Sequence, residues 1–209
     1  MEVGNWKLKK KVTVSKLKKD FYLRDDVVMI AKELLGKYLF TKFDGKLTGG
    51  IISETEAYNG IIDRASHAFG GRRTERTEIM YHEGGVAYVY ICYGIHSLFN
   101  VVTNSKNIPH AVLIRGIHPT HGIDSMLERR KKKSVDKSLT NGPGSVGQAL
   151  GMTRTHTGTN LYGNKIWIED RKFITTDSQI KITKRIGVEY SGEAAHYPYR
   201  FVLKKDHRP

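Results

Sequence analysis

KYLFTKFDGKLTGGIISETEAY, residues 37–58, holds two apolar runs around an Asp-Gly pair and ends on two carboxylates and a tyrosine. Asp44-Gly45 suits the type I′ turn that joins two antiparallel strands, so the stretch predicts a β-hairpin. Side chains on a strand alternate between faces. That puts Glu54, Glu56 and Tyr58 on one face and Ser53, Thr55 and Ala57 on the other. Two acids inside an apolar strand need a reason, the more so in a chain of net charge +14.

Before the hairpin, Val27, Ile30, Ala31, Leu34 and Leu35 fall at helical spacing. Asp25 or Asp26 can cap that helix, and Gly36 can end it in a left-handed turn. After the hairpin, residues 59–85 are rich in glycine and arginine and show no period, which predicts a long loop; such loops are usually functional or disordered. VAYVYICY (86–93), HSLFNVV (96–102) and HAVLIRGI (110–117) read as strands. A helix is expected from Gly122 to about Lys133, ending in RRKKK (129–133), where cations favour the helix dipole. The same run could touch phosphate or direct nuclear import, but a solvated helix end is the plainer account. GSVGQALG (144–151) predicts a short helix, and KIWIEDR and QIKITKRIGVEY predict further strands. Strands that follow one another with few helices between them favour an α+β fold. The expectation is a single domain over residues 1–209, built around a curved, largely antiparallel sheet with flanking helices. Residues 1–20, rich in lysine, are expected to form a basic arm that is only partly ordered.

Composition narrows the function. With 209 residues, 39% hydrophobic and 27% charged, the chain can bury a substantial core. No apolar run approaches the ~20 residues that span a bilayer, and no apolar segment of a secretory signal follows the basic N-terminus. Cys92 is the single cysteine. It excludes an intrachain disulfide and a zinc finger built on CxxC pairs, and points to a reducing compartment: the cytoplasm, or the nucleus if the source is eukaryotic. Thirty-five Lys and Arg against 21 acids suggest a polyanionic partner, nucleic acid first.

Three readings of the acidic pair stay open on spacing alone. A carboxylate beside an aromatic on one face can be a base next to a stacking platform. The two glutamates can instead be neutralised by arginines. Or Glu54, Glu56, Asp63 and His67 can form the metal site of a nuclease. Tyr88 and Tyr90 share a strand face, whereas Tyr93 has the opposite parity and precedes Gly94 at a turn. Clustered tyrosines on a basic chain are what stacking on bases needs, at about 1–3 kcal/mol per base, although core tyrosines are commoner. Asn100 and Arg115 sit in apolar strands, where each should have a partner.

Six motifs in order carry a resemblance: ETEAY (54–58), HAFGGRRT (67–74), AYVYICYGIHSLFNVVT (87–103), VLIRG (112–116), Gly142-Pro143 and RIG (185–187). Together they resemble the alkyladenine DNA glycosylase family, the 3-methyladenine glycosylases of the mammalian type, from about residue 20 to about residue 203. The resemblance implies a monomeric enzyme without a cofactor. It flips a damaged purine nucleotide out of double-stranded DNA and hydrolyses its N-glycosidic bond. Glu56 then matches the general base that activates water, and Arg115 and the main-chain carbonyl of Ile186 match groups that hold that water. Tyr58 and Tyr90 match the aromatic pair around the flipped base, bordered by His67. Asn100 matches the asparagine that meets the minor-groove edge and disfavours guanine, and Tyr93 matches the wedge that enters the duplex. Two positions depart from the pattern: Ser145, where many members carry a basic residue, and Glu83, in a loop that usually has no acid. A noncatalytic nucleic-acid-binding module remains the third class of function.

Overall fold

The computed structural model describes residues 14–173 and 175–204. The hairpin forms as its turn chemistry dictates. Strand β2 (Tyr38–Phe43) pairs antiparallel with β3 (Lys46–Tyr58), with Phe43 opposite Lys46. Asp44 and Gly45 both take positive φ, 50° and 75°, as a type I′ turn requires.

Around it are β1 (Ser15–Lys16), β4 (Ala87–Cys92), β5 (His96–Thr103), β6 (His110–His121), β7 (Ile166–Asp170), β8 (Ile180–Thr183) and β9 (Arg200–Leu203). They make one nine-stranded sheet in the order β1-β7-β2-β3-β6-β5-β4, with β9 joining the last part of β3 and carrying β8. Every pairing between these strands is antiparallel. The long strand β3 is central throughout, flanked by β6 on one side and by β2, then β9, on the other.

The α-helices are α1 (Lys19–Tyr22), α2 (Val27–Glu33), α3 (Ile123–Arg130) and α4 (Pro143–Ala149). Asp26 caps α2 by accepting from the Met29 N–H at 2.8 Å, and Gly36 follows at φ 79°. Helix α2 packs on β3 and β6, and α4 on β5 and β6. The α4 contact is close because position 147 is glycine. A Cβ there would lie 2.0 Å from the Ser97 carbonyl oxygen, so any larger residue would push the helix off the sheet.

The two sheet faces carry different cores. Ala57, Ala87, Val89, Phe99, Val101, Val112 and Ile114 join Val27, Ile30, Ala31, Val146 and Ala149 of the helices in the larger cluster. On the other face Tyr88, Val102 and Ala111 pack against Ala68, Ile79, Met80 and Tyr81 of the 59–81 segment. That segment has only short 3₁₀ turns, as its lack of period predicts, yet it supplies a second small core. No helix among the described residues is long and apolar enough to cross a membrane.

Three expectations change. Helix α3 stops at Arg130 rather than Lys133, because Lys131 turns left-handed at φ 52°. The basic run is not a freely solvated end: Arg129 donates to the Ala149 carbonyl at 3.0 Å, and Arg130 to Ser138 O and Ser145 Oγ at 3.1 and 3.0 Å. Two of its arginines therefore clamp α3 to α4 and the turn before it. Of the basic arm, the strand β1 pairs with β7, and residues 1–13 lie outside the described residues. Finally, QIKITKRIGVEY is strand only as far as Thr183. The chain then turns inward at Arg185, and the next strand is β9, which the sequence pattern did not reveal.

Candidate active site

Residues directly opposite one another in an antiparallel pair share a face. Glu56 lies opposite Leu113, Leu113 opposite Asn100, and Asn100 opposite Tyr88. One row across β3, β6, β5 and β4 thus aligns four side chains under the 59–81 segment. Two residues along each strand from this row stand Tyr58, Arg115 and Tyr90. Period-two alternation therefore gathers seven residues from four strands on the face opposite the larger core.

Above them is a cavity of about 260 Å³. Tyr58, His67, Tyr90, Asn100, Arg115, Ile186 and Tyr93 all line it, together with Tyr88, Cys92, Pro143, Val188 and Tyr190. Seven of the eight candidate residues named from the sequence thus border one space. The eighth, Glu56, is fully buried directly behind three of them. Tyr58 donates its hydroxyl to Oε2 at 2.9 Å, the Ile186 N–H donates to Oε1 at 2.9 Å, and Arg115 Nε stands 3.4 Å from Oε1. The resemblance gives the Ile186 carbonyl to the water; the N–H of the same residue is what lies on the Glu56 carboxylate.

A buried carboxylate is costly to ionise. Burial pushes the pKa of Glu56 above the ordinary value, opposed by the Arg115 charge and by the Ile186 and Tyr58 hydrogen bonds. Each carboxylate oxygen has two acceptor sites, so both oxygens can take one more hydrogen bond. A proton acceptor of raised affinity, held rigidly beside a cavity, is suited to general-base chemistry.

Glu54 has a different environment. Its Oε1 accepts from Arg115 Nε at 2.9 Å and from Arg200 Nε at 2.7 Å, so the arginine-neutralised reading holds for this acid. Asp63 is also engaged. Its two oxygens accept from both terminal nitrogens of the buried Arg185, and from the N–H groups of Asn59 and Ala65 at 3.0 Å each. The same guanidinium donates to the Ala57 and Ala194 carbonyls and lies 4.8 Å over the Tyr58 ring. This clasp fixes the residue preceding Ile186, and so aims the Ile186 N–H at Glu56. The metal reading therefore loses its geometry. Among the described residues no three His, Cys, Asp or Glu side chains are grouped to hold a metal ion.

His67 Nδ1 lies 2.8 Å from the Tyr88 hydroxyl, and Arg76 Nη2 lies 3.0 Å from His67 Nε2. Burial first, then Arg76 and Arg72, lower its pKa to about 4, so the ring is neutral at neutral pH. Arg76 also stands 4.9 Å over the Tyr90 ring. Asn100 donates Nδ2 to the Tyr88 and Leu98 carbonyls, which gives the buried amide its partners and turns its oxygen away from them. Arg76 and Tyr190 carry no role in the sequence analysis, and Arg185 enters it only as the first residue of the RIG motif. Arginine-rich composition in 59–85 was the only signal for the first.

At the rim, Tyr93 and Gly94 form the tip of the β4–β5 hairpin, with φ 50° and 73° and a bond from Ile95 N to Cys92 O. Tyr93 is 90% exposed, which removes the core reading for this residue. A bulky side chain at positive φ is strained, and such strain gathers at functional sites. Glu83 pairs with Lys19 at 2.6 Å, and Ser145 is where Arg130 binds.

A buried carboxylate of raised proton affinity beside an aromatic cavity, in a chain of net charge +14, is an arrangement that suits hydrolysis on a polyanionic substrate. The family model described as Methylpurine-DNA glycosylase (MPG) matches residues 20–207. Relatives named "Putative 3-methyladenine DNA glycosylase" are similar over most of the chain, among them the following three. The one from Chlamydia felis is 50% identical over 188 residues, 90% of this chain and 95% of its own length. Those from Clostridium perfringens (strain 13) and Chlamydia pneumoniae are each 44% identical, over 90% and 91% of this chain and 96% of their own. The chain belongs to the methylpurine-DNA glycosylase family, and is accordingly a DNA-repair glycosylase, a hydrolase of N-glycosyl bonds.

Proposed function

We propose that this chain removes damaged purines from double-stranded DNA by drawing the nucleotide into the cavity and cleaving its N-glycosidic bond with water activated by Glu56. The observation that carries this reading is the fully buried Glu56, of raised proton affinity, held behind a cavity bordered by Tyr58, Tyr90 and Arg115. Tyr58 and Tyr90 stack on the extruded base. Arg115 and Glu56 together orient the water, Glu56 takes its proton, and its oxygen bonds to C1′ as the bond to the base breaks. The bonding electrons leave with the base. An N3- or N7-alkylated purine is cationic and departs neutral, whereas hypoxanthine must gain a proton as it departs. A cationic base is also attracted to the tyrosine faces. Unstacking costs a few kcal/mol and least at damaged or mispaired bases, which supplies part of the selectivity. The protein acts as a monomer, in the cytoplasm or the nucleus.

Water as the nucleophile sets the test. Incubation with lesion duplex and borohydride yields free base and no covalent protein–DNA adduct. A trapped adduct would mean an amine nucleophile and overturn the role given to Glu56.

The wedge makes a separate prediction. Tyr93→Ser lowers the rate of base release on intact duplex but has much less effect on a bulged substrate, where unstacking is already cheap. Equal losses on both substrates, in a variant that melts like wild type, would contradict the wedge.

Charge makes another. Affinity for damaged duplex falls steeply with salt, with a log–log slope of about −4 to −5 for roughly five phosphates contacted. A nearly flat titration would remove the DNA backbone as the partner of the excess Lys and Arg.

A further inference from the structure

The other acid of ETEAY lies outside the water-activating step, yet it is buried, with 8% of its surface exposed, and held by two cations. Pairing of β3 with β6 is irregular on both sides of Glu54, the kind of local irregularity that re-aims side chains. Gly116 permits this, because a Cβ there would lie 3.1 Å from Ser53 Oγ and 3.2 Å from Glu54 Cβ. Arg115 Nε is thereby set between two carboxylates, 2.9 Å from Glu54 and 3.4 Å from Glu56. Glu54 is in turn fixed from behind by Arg200, which reaches Thr183 Oγ1 with its Nη1 at 3.1 Å. Arg115 makes no hydrogen bond from its terminal nitrogens to any described residue, and it lines the cavity.

We infer that Glu54 is a positioning residue. It takes the Nε–H of Arg115 and so locks the guanidinium with its two terminal NH₂ groups free for the reacting water or the substrate. The inference rests on the reading of Glu56 as general base. Locking matters because Arg115 has two rivals for one N–H. If Glu54 were neutral, Nε would move onto Glu56, and the fork would rotate out of its working direction. Misplacement by about 1 Å can cost 10²-fold in rate.

Glu54 also acts on Glu56 by charge. The groups facing Glu56 are Glu54 and Tyr58 on β3, Arg115 from β6, Arg200 opposite it on β9, and the Ile186 N–H next to Arg185. Of these Glu54 is the only carboxylate. Its charge makes Glu56 a stronger base, and removing it weakens that base.

Single-turnover base release by Glu54→Gln on a single-lesion duplex, measured across pH, tests the inference. Release at the plateau falls about ten- to a hundredfold, the acid limb moves to lower pH than in wild type, and binding of the lesion duplex is retained. In an Arg115→Gln background the same substitution adds little further loss, since both changes remove one function. If Glu54→Gln folds poorly because two arginines are left unpaired, Glu54→Gln with Arg200→Gln removes one stranded cation and gives the same slow release and displaced limb. Wild-type release with an unmoved acid limb, or losses that multiply with Arg115→Gln, would overturn the positioning role while leaving Glu56 in place. Absence of base release by the wild-type protein would overturn the Glu56 reading itself, and this inference with it.

Discussion

Glu56→Gln abolishes most base release, by about 10²- to 10⁴-fold in single turnover, the range that a general base contributes. Affinity for damaged duplex persists, because the amide keeps the size of the side chain and an acceptor for the Ile186 N–H. The wild-type rate should fall on acidification through a pKa above the ordinary carboxylate value, since the base must be ionised to work and burial raises its proton affinity. The same shift has a stability consequence. A folded-state pKa raised above the unfolded one contributes stability at pH below the unfolded value, and this is lost as pH rises through the folded value. At pH above its raised folded-state value the ionised Glu56 is thus a burden on the fold, and there Glu56→Gln should melt no lower than wild type. A thermal melt beside the release assay checks both parts. A large drop in melting temperature would mean that the ion pair with Arg115 outweighs the burial penalty.

Asp63→Asn should have the largest effect on stability. Asp63 and Arg185 are 1% and 2% exposed, and the arginine joins the 59–65 turn, the end of β3 and the carbonyl of Ala194. Removing one charge of a buried pair strands the other, at about 3–5 kcal/mol. In a chain of this size that lowers the melting temperature by roughly 6–20 °C. Base release falls as well, because Ile186 loses its anchor beside Glu56. A change of less than about 2 °C would show that the clasp is not what holds this corner.

Much of this was legible where the signal is local. The Asp44-Gly45 turn announced the hairpin, Asp26 and Gly36 bounded α2, and alternation along β3 placed Glu54, Glu56 and Tyr58 on one face. Tyr93 stood apart from Tyr90 for the same reason, and the structure leaves it exposed at the tip. The rest depends on contacts between distant parts of the chain. Nothing near Asp63 indicates a partner 122 residues away, and nothing near Glu54 indicates that β9 returns beside it with Arg200. The fate of Arg185 was misread because KITKRIGVEY has strand-like composition, whereas the buried Asp63 carboxylate pulls the chain inward there. Similarly, RRKKK looked solvated because the carbonyls that bind Arg129 and Arg130 come from later segments. The order of six motifs pointed to the family; which oxygen or nitrogen of each residue faces Glu56 needed the fold.

The central claim is tested most directly by the products formed from a duplex carrying one alkylated purine, incubated with excess protein in EDTA. The account predicts free modified base, detected by mass, and an abasic but unbroken strand, with both products formed about 10²- to 10⁴-fold more slowly by Glu56→Gln. Strand cleavage without free base, or base release that Glu56→Gln retains at the wild-type rate, would contradict it.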